Sequence, residues 1–281
     1  MHRTILDSAY RLTRPPMLRR RRRSGAAPGD RAVLVTGAGG IIGRVLRKGL
    51  GSDYRLLGID VRRGDGVDWT RDMRSARRVR TLFEGVDTVI DLAAISSVST
   101  SWRDVQRTNI PATLNALECA RRAGVRRLVF ASSNHVTGMY ERDEPYAAIV
   151  AGEYGGLQPG SYRHIDTTVA IRPDGAYGVG KALGEAACRY YADAFDLSVI
   201  CLRIGTVRPT DRPDSPRHFA TLLTHRDLIQ LVRCCIEAPT ELNFAIFYGV
   251  SANTWRIWDI ESVRAAIGYA PVDDAERWRR A

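Results

Sequence analysis

The stretch RAVLVTGAGGIIGRVLRKGL, residues 31–50, decides the fold of this 281-residue chain. It begins as a short apolar strand, Ala32 to Thr36, passes through a glycine-rich turn and continues as an amphipathic helix. This glycine spacing lets the backbone turn tightly and approach a pyrophosphate at the helix N-terminus, where free N–H groups and the helix dipole favour negative charge. We assign to cofactor binding Gly37, Gly40, Ile41, Ile42 and Gly43.

The second predicted strand, YRLLGIDV (54–61), favours a dinucleotide-binding site over an ordinary tight turn as the interpretation of these glycines. Asp60 ends that strand, 23 residues beyond Gly37. An acidic side chain there accepts hydrogen bonds from both ribose hydroxyls and repels a 2′-phosphate, which predicts NAD and makes NADP the less favoured cofactor. Arg62 and Arg63 follow directly and would favour a phosphate. Asp68 is placed to reach the adenine edge, although a plain surface aspartate would look the same.

Strands and helices alternate through the rest of the chain. This alternation indicates βαβ units and an α/β fold, a Rossmann-type doubly wound parallel sheet with a small C-terminal region on the substrate side. Leu92, Ala93 and Ala94, at the exit of one strand, are assigned to the cofactor. The predicted strands are DTVIDLAA (87–94), RRLVFASS (126–133) and LSVICLRIG (197–205). The predicted helices are NIPATLNALECARRAG (109–124) and GAYGVGKALGEAACRYYADAF (175–195).

Composition divides the chain into an extension and one domain. Residues 1–30 hold eight arginines against two aspartates, so they contribute +6 of the net charge of +11. A basic tail suits nucleic acid or an anionic membrane surface. We interpret it instead as a disordered arginine-rich extension or a misassigned start, and expect no nucleic-acid partner. Residues 31–281 form the catalytic domain, with substrate-side segments at about 141–171 and 208–281, which follow strand ends.

Other compositional features predict a cytoplasmic protein without a membrane span or a metal site. No apolar run approaches the roughly 18 residues of a spanning helix, and no hydrophobic segment follows the arginine block. The five cysteines are odd in number and form no metal-ligand pattern, so we expect free, mostly buried thiols in a reducing compartment.

The stretch RPDGAYGVGK (172–181) carries the chemistry. Tyr177 and Lys181 lie four residues apart and hence on one helix face. A phenol stays protonated up to about pH 10, and a neighbouring ammonium lowers that value. Only two of the 42 basic residues are lysines, which indicates that this position needs a compact cation. Chance alone often produces such a pair, but Ser133 after an upstream strand and Asn109 on an earlier helix accompany it.

These motifs, in this order, resemble the extended short-chain dehydrogenase/reductase family, also described as NAD-dependent epimerases and dehydratases. The resemblance covers about residues 32–275. It implies that Ser133 polarises the substrate oxygen, Tyr177 is the acid/base, and Lys181 holds the nicotinamide ribose. It also implies that Asn109 holds the active-site helix and its water, and that the helices after Asn109 and Tyr177 form a homo-oligomer interface.

Within that family, FASSNHVTG (130–138), RPDGAYGVGK and RHFATLLTHRD (217–227) are together similar to uronate dehydrogenases. This similarity implies a small-molecule substrate, a sugar acid, with Arg217 binding its carboxylate; a planar guanidinium suits that task. His135 would equally suit a buried, satisfied position beside the strand. The positions that the similarity places around the sugar are Ser96, Ser133, Asn134, His135, Thr206 and Arg217.

The chain departs from uronate dehydrogenases around the substrate. The stretch between His135 and Tyr177 is about twenty residues longer, and the extra material is expected to lie over the substrate. We therefore predict an NAD-dependent oxidoreductase that oxidises a hydroxyl of a sugar acid. A sugar-nucleotide epimerase or reductase of the same family is the alternative, and a non-catalytic NAD(P)-sensing protein is a third.

Overall fold

The computed structural model describes residues 31–279, and a single parallel sheet runs through the middle of them. Its strand order is β3-β2-β1-β4-β5-β6-β7, so the chain reverses direction across the sheet between β1 and β4. Ligands of such sheets bind at the carboxyl ends of the strands, at this switch point. The strands are β1 Ala32–Thr36, β2 Arg55–Asp60, β3 Trp69–Thr70, β4 Thr88–Asp91, β5 Arg127–Ser133, β6 Ser198–Ile204 and β7 Phe244–Gly249.

Helices cover both faces of the sheet, which is why the central strands β1, β4, β5 and β6 are buried along their whole length. One core lies under the first and eighth helices and includes Leu46 and Leu231; the other lies under the fourth and sixth and includes Leu117 and Cys188. The fold class predicted from the sequence is confirmed. The helices are α1 Ile41–Leu50, α2 Ala76–Val79, α3 Trp102–Asp104, α4 Ile110–Ala123, α5 Tyr146–Ala151, α6 Ala176–Ala194, α7 His218–Thr221, α8 His225–Glu237 and α9 Glu261–Ile267.

The long stretch predicted as a loop over the substrate contains α5 and is held at several points. The Ile165 amide donates to Ile257 O at 2.8 Å, and the Asp259 amide donates to Ile165 O at 2.9 Å. Tyr154 stacks on Trp255, with ring centroids 4.0 Å apart. These contacts tie residues 141–171 to the C-terminal segment, so that the two predicted substrate-side segments pack together.

Residues 31–279 include no helix long and apolar enough to cross a bilayer. All five cysteines are free, and Cys234 alone among them is partly exposed. The arginine-rich extension predicted over residues 1–30 lies outside the described residues.

Candidate active site

The glycine-rich turn joins β1 to α1 in a backbone conformation that only glycine adopts easily. Gly37 has φ +68°, and a β carbon there would come within 2.8 Å of the Leu92 backbone carbonyl. A side chain would therefore push the turn away from the exit of β4. At Gly43 a β carbon would lie 2.7 Å from Ala38 Cα, so α1 packs directly on the turn.

The start of α1 is open to an anion. Gly40 is the N-cap, and within the described part of the chain no side chain caps it. No acidic residue occupies the first turn, which begins with Ile41 and Ile42. The free N–H groups and the dipole at this end of a ten-residue helix fit a pyrophosphate.

Asp60 places its carboxylate beside the turn. Its Oδ2 accepts a hydrogen bond from the Gly39 amide at 3.0 Å, and Oδ1 accepts one from the Arg62 amide at 3.0 Å. The side chain is partly exposed, so its remaining lone pairs are available to ribose hydroxyls.

Asp68 has a structural role that its motif position did not reveal. Its Oδ2 accepts from the Gly58 amide at 2.7 Å, and the Asp68 amide donates to Gly58 O at 2.9 Å. These bonds tie the loop before β3 to β2. A contact from Asp68 to adenine stays a prediction.

A buried threonine and carboxyl group, absent from the sequence predictions, support the loop after β4. Thr36 Oγ1 donates to Asp91 Oδ1 at 2.6 Å and accepts from the Ala93 amide at 3.2 Å. Burial raises the pKa of Asp91. This arrangement fixes Leu92, Ala93 and Ala94 beside the glycine turn. The sequence signal that could have identified Asp91 was an aspartate at the end of an apolar strand.

Asn109 ends a π-helical turn, Val105–Asn109, and holds the next part of that loop. Its Oδ1 accepts from the Ile95 amide at 2.8 Å, and its Nδ2 donates to Ile95 O at 3.2 Å. The asparagine thereby positions the backbone next to Ser96, whose side chain is exposed. These two bonds hold a loop; a role of Asn109 in holding the active-site helix and its water stays a prediction.

Tyr177 and Lys181 lie in the first turns of α6, which packs against β5, the strand that ends at Ser133. Lys181 is buried; its Nζ donates to Ala131 O at 2.6 Å and lies 5.8 Å from the Tyr177 ring centroid. Gly178 lets α6 lie close to the chain that follows β5, because a β carbon there would collide with the His135 carbonyl. The buried Ser133 Oγ accepts from the His135 amide at 3.2 Å. A phenol, an ammonium and a hydroxyl thus converge at one strand end.

His135 and Asn134 line the same strand end. His135 Nδ1 lies 2.6 Å from Asp174 Oδ2, which was not among the predicted site residues although it lies in RPDGAYGVGK. The His135 ring lies edge-on to Tyr177, with centroids 6.0 Å apart. Asn134 is buried, and its Nδ2 has no hydrogen-bond partner within residues 31–279. An unpaired buried donor is costly, so a bound ligand would satisfy it well.

Arg217 contacts a carboxylate that belongs to the protein. Its Nε donates to Glu141 Oε2 at 2.5 Å and its Nη2 donates to Glu141 Oε1 at 2.7 Å, a bidentate pair. Arg217 Nη1 also donates to Thr206 Oγ1 at 3.3 Å, and Thr206 shares a hydrogen bond of 2.8 Å with Thr221. Glu141 was not predicted, because nothing in its sequence context distinguishes it from a surface acid.

A buried ion pair lies between α6 and the strands β5 and β6. Glu185 accepts from Arg203 Nε and Nη2, both at 2.9 Å, and from Ser132 Oγ at 2.6 Å. Burial opposes the charged guanidinium, but the hydrogen bonds and negative charge of Glu185, together with Tyr248, raise the pKa of Arg203 overall. Arg203 Nη1 also donates to the Tyr248 hydroxyl at 3.2 Å. This network fixes α6, and hence Tyr177, against the sheet.

Comparison with known proteins agrees with these features. The sequence profile of the NAD dependent epimerase/dehydratase family matches residues 33–226, which is more than half of the chain. An NAD-dependent glucose-6-phosphate dehydrogenase of Haloferax volcanii is 36% identical over 88% of this chain and 95% of its own. An L-arabinose 1-dehydrogenase (NAD(P)(+)) of the same organism is 34% identical over 86% of this chain and 97% of its own. The crystal structure of uronate dehydrogenase from Agrobacterium tumefaciens superposes with a TM-score of 0.74 at 32% identity, covering 89% of this chain and 87% of that one.

Proposed function

This chain belongs to the NAD dependent epimerase/dehydratase family, and from that membership we propose that it is an NAD-dependent dehydrogenase that oxidises a hydroxyl of a sugar acid or a related sugar. The observation that carries the proposal is the convergence of Tyr177, Lys181 and Ser133 at the end of β5. Dehydrogenation of an alcohol needs a group that accepts the hydroxyl proton. A phenol beside a buried ammonium supplies one.

Each residue has a role that follows from its position. Ser133 donates to the oxygen of the substrate hydroxyl and fixes its orientation. Tyr177 accepts the proton from that hydroxyl, and the positive charge of Lys181 stabilises the phenolate that this requires. NAD, when bound, supplies the acceptor for the hydride.

The cofactor site fits a dinucleotide on three observations: the glycine turn that a β carbon would block, the uncapped start of α1, and the carboxylate of Asp60 beside them. Gly37, Gly40 and Gly43, with the amides of Ile41 and Ile42, would hold the pyrophosphate. The backbone at Leu92, Ala93 and Ala94 would line the nicotinamide side, where Lys181 reaches the ribose.

The substrate would lie against Ser133, Asn134 and His135. The unpaired Nδ2 of Asn134 and the ring of His135 suit ring hydroxyls of a sugar. Ser96, Thr206 and Arg217 complete the proposed contacts. The named substrates of the relatives are glucose 6-phosphate, arabinose and uronates, which are a sugar phosphate, a sugar and sugar acids.

The test is NAD reduction followed at 340 nm with galacturonate, glucuronate, galactose, glucose and arabinose. We expect NADH to form with at least one sugar or uronate, and a lactone to be recovered where the anomeric carbon is oxidised. A protein that binds NAD but reduces it with none of these substrates, and that instead interconverts sugar nucleotides, would contradict the proposal in favour of an epimerase.

We propose NAD as the physiological cofactor, because Asp60 presents a negative charge where NADP carries its 2′-phosphate. Asp60→Asn keeps an acceptor for the Gly39 amide but removes the charge. The ratio of kcat/KM for NADP to that for NAD should then rise about tenfold or more. The matched control is Asp65→Asn, an exposed aspartate of the same loop, which should leave the ratio unchanged. An unchanged ratio in Asp60→Asn would show that Arg62 and Arg63 govern the choice instead.

We also propose a cytoplasmic homo-oligomer that associates through α4 and α6. Free cysteines suit a reducing compartment. Leu114 on α4 and Leu183 on α6 are exposed apolar side chains on neighbouring helices. Leu183→Glu should shift the protein towards monomers in light scattering coupled to size exclusion. Val272→Glu, at an exposed apolar residue of the C-terminal segment, should not; equal masses for both variants and the wild type would contradict this interface.

A further inference from the structure

We propose that Glu141 is a specificity-determining residue that competes with an anionic substrate group for Arg217. The carboxylate end of the site would then be neutralised by the protein, so that uncharged sugars are accepted alongside uronates. This inference rests on the proposed function and names the group that decides the breadth of its substrates.

The pair stands at the same edge of the sheet as the candidate catalytic residues. Ser133 and Ile204 are register partners on β5 and β6, and Thr206, which accepts from Arg217, follows Ile204 by two residues. Neighbouring strands lie about 4.8 Å apart, so Thr206 is close to the strand end that carries Ser133. Glu141 belongs to the 3₁₀-helical segment Asn134–Arg142, which continues directly from Ser133. Glu141 is thus on the segment that continues from Ser133, and Arg217 is joined to the neighbouring strand end through Thr206.

The charge of the guanidinium is already paired within the protein. Glu141 occupies the Nε–Nη2 edge, and Thr206 accepts from Nη1, so three of the five N–H groups are engaged. The side chains are 27% and 11% exposed for Arg217 and Glu141, so the pair is largely withdrawn from water. A substrate carboxylate can bind the Nε–Nη2 edge only by displacing Glu141. The carboxylate of Glu141 would then lack its partner in a partly buried place.

The neighbouring chain stabilises Glu141 in this position. The Met139 amide donates to Arg172 O at 2.9 Å and the Arg172 amide donates to Val136 O at 3.0 Å. Arg172 also forms an ion pair with Asp143. The segment that holds Glu141 is therefore braced on both sides, and its carboxylate is not a free surface group.

An uncharged sugar meets a different surface at the same place. The pair offers carboxylate lone pairs as acceptors and guanidinium N–H groups as donors, and a hydroxyl group uses either. No ion pair has to be broken for it to bind. Substitution of Glu141 by glutamine keeps one acceptor for Arg217 but removes the competing charge, so uronates should gain and neutral sugars should not.

The experiment measures kcat/KM by NADH formation for glucuronate and for glucose, which differ only at C6. In Glu141→Gln we expect the glucuronate-to-glucose ratio to rise by about 10- to 100-fold over the wild type, mainly through a lower KM for glucuronate. Glu144→Gln, the same change at an exposed position three residues along, should leave the ratio unchanged. Adding Arg217→Met to Glu141→Gln should abolish the gain, which shows that it acts through the guanidinium.

Several outcomes would overturn the inference. An unchanged or lower ratio in a Glu141→Gln variant that unfolds at the wild-type temperature would do so. Should that variant not fold, the wild type alone decides, because a glucuronate-to-glucose ratio above about 1,000 requires a guanidinium free to bind the carboxylate.

Calorimetric titration of glucuronate in the presence of NADH separates this inference from the proposed function. Tighter binding to Glu141→Gln without turnover would support competition for Arg217 and contradict the dehydrogenase. Turnover in the wild type with equal binding to both proteins would support the dehydrogenase and contradict the role of Glu141. Neither turnover nor a difference in binding would contradict both.

Discussion

Tyr177→Phe should lower kcat by about 100- to 10,000-fold, the range that general acid–base catalysis contributes. The substitution removes one hydroxyl and leaves the ring that packs near His135 and Lys181 in place. NAD binding, followed by quenching of intrinsic fluorescence, should therefore change less than threefold. The measurement is NADH formation at saturating substrate.

Tyr190→Phe is the matched control. Tyr190 lies on the same helix, α6, but is 52% exposed and stands more than three turns beyond Tyr177. Its activity should equal that of the wild type. If Tyr177→Phe retained more than about a tenth of the wild-type kcat, the phenol would not be the proton acceptor, and His135 with Asp174 would be the next group to test.

Glu185→Leu should lower the free energy of unfolding by about 3–5 kcal/mol, because it leaves the guanidinium of Arg203 buried without its carboxylate. Arg203 is almost fully buried, and two of its hydrogen bonds go to Glu185. Urea denaturation followed by circular dichroism measures the change. The double variant Glu185→Leu/Arg203→Met should recover a large part of the loss, since no unpaired charge then remains.

Asp193→Asn provides the comparison on the same helix. Asp193 pairs with Arg189 at 2.6 Å, but both side chains are at least half exposed. Breaking such a pair should cost about 0.5 kcal/mol or less. Equal losses for Glu185→Leu and Asp193→Asn would contradict the view that the buried pair anchors α6.

Most of the parallel sheet followed from local pattern, although β7 was not among the predicted strands. A βα unit is recognised by an apolar strand of four to seven residues followed by a helix with one apolar side. Both patterns lie within a short stretch of sequence. The predicted strand Ala32–Thr36 is observed with the same ends, and the predicted helix at 175–195 is observed as Ala176–Ala194. The glycine turn was also predictable, because glycine adopts a φ of +68°, as at Gly37, with less strain than any other residue type.

The long stretch at 141–171 was harder to predict. Its turn-rich composition suggested a loop over the substrate, yet α5 and the contacts of Ile165 and Tyr154 tie it to the C-terminal segment. These contacts join residues about 90 to 100 positions apart. No local pattern contains them, because each partner is an ordinary apolar or aromatic residue until the two surfaces meet.

The candidate site likewise has one part that the sequence predicted and one part that it did not. The sequence by itself determined that the proposed reacting groups lie together, since Tyr177 and Lys181 share a helix face at fixed spacing and Ser133 ends a strand beside that helix. Only the tertiary structure decided the state of Arg217, which is engaged by Glu141, a residue 76 positions away. The charge that a guanidinium presents to a ligand depends on what already pairs with it. That pairing is a property of three-dimensional proximity, which spacing along the chain does not encode.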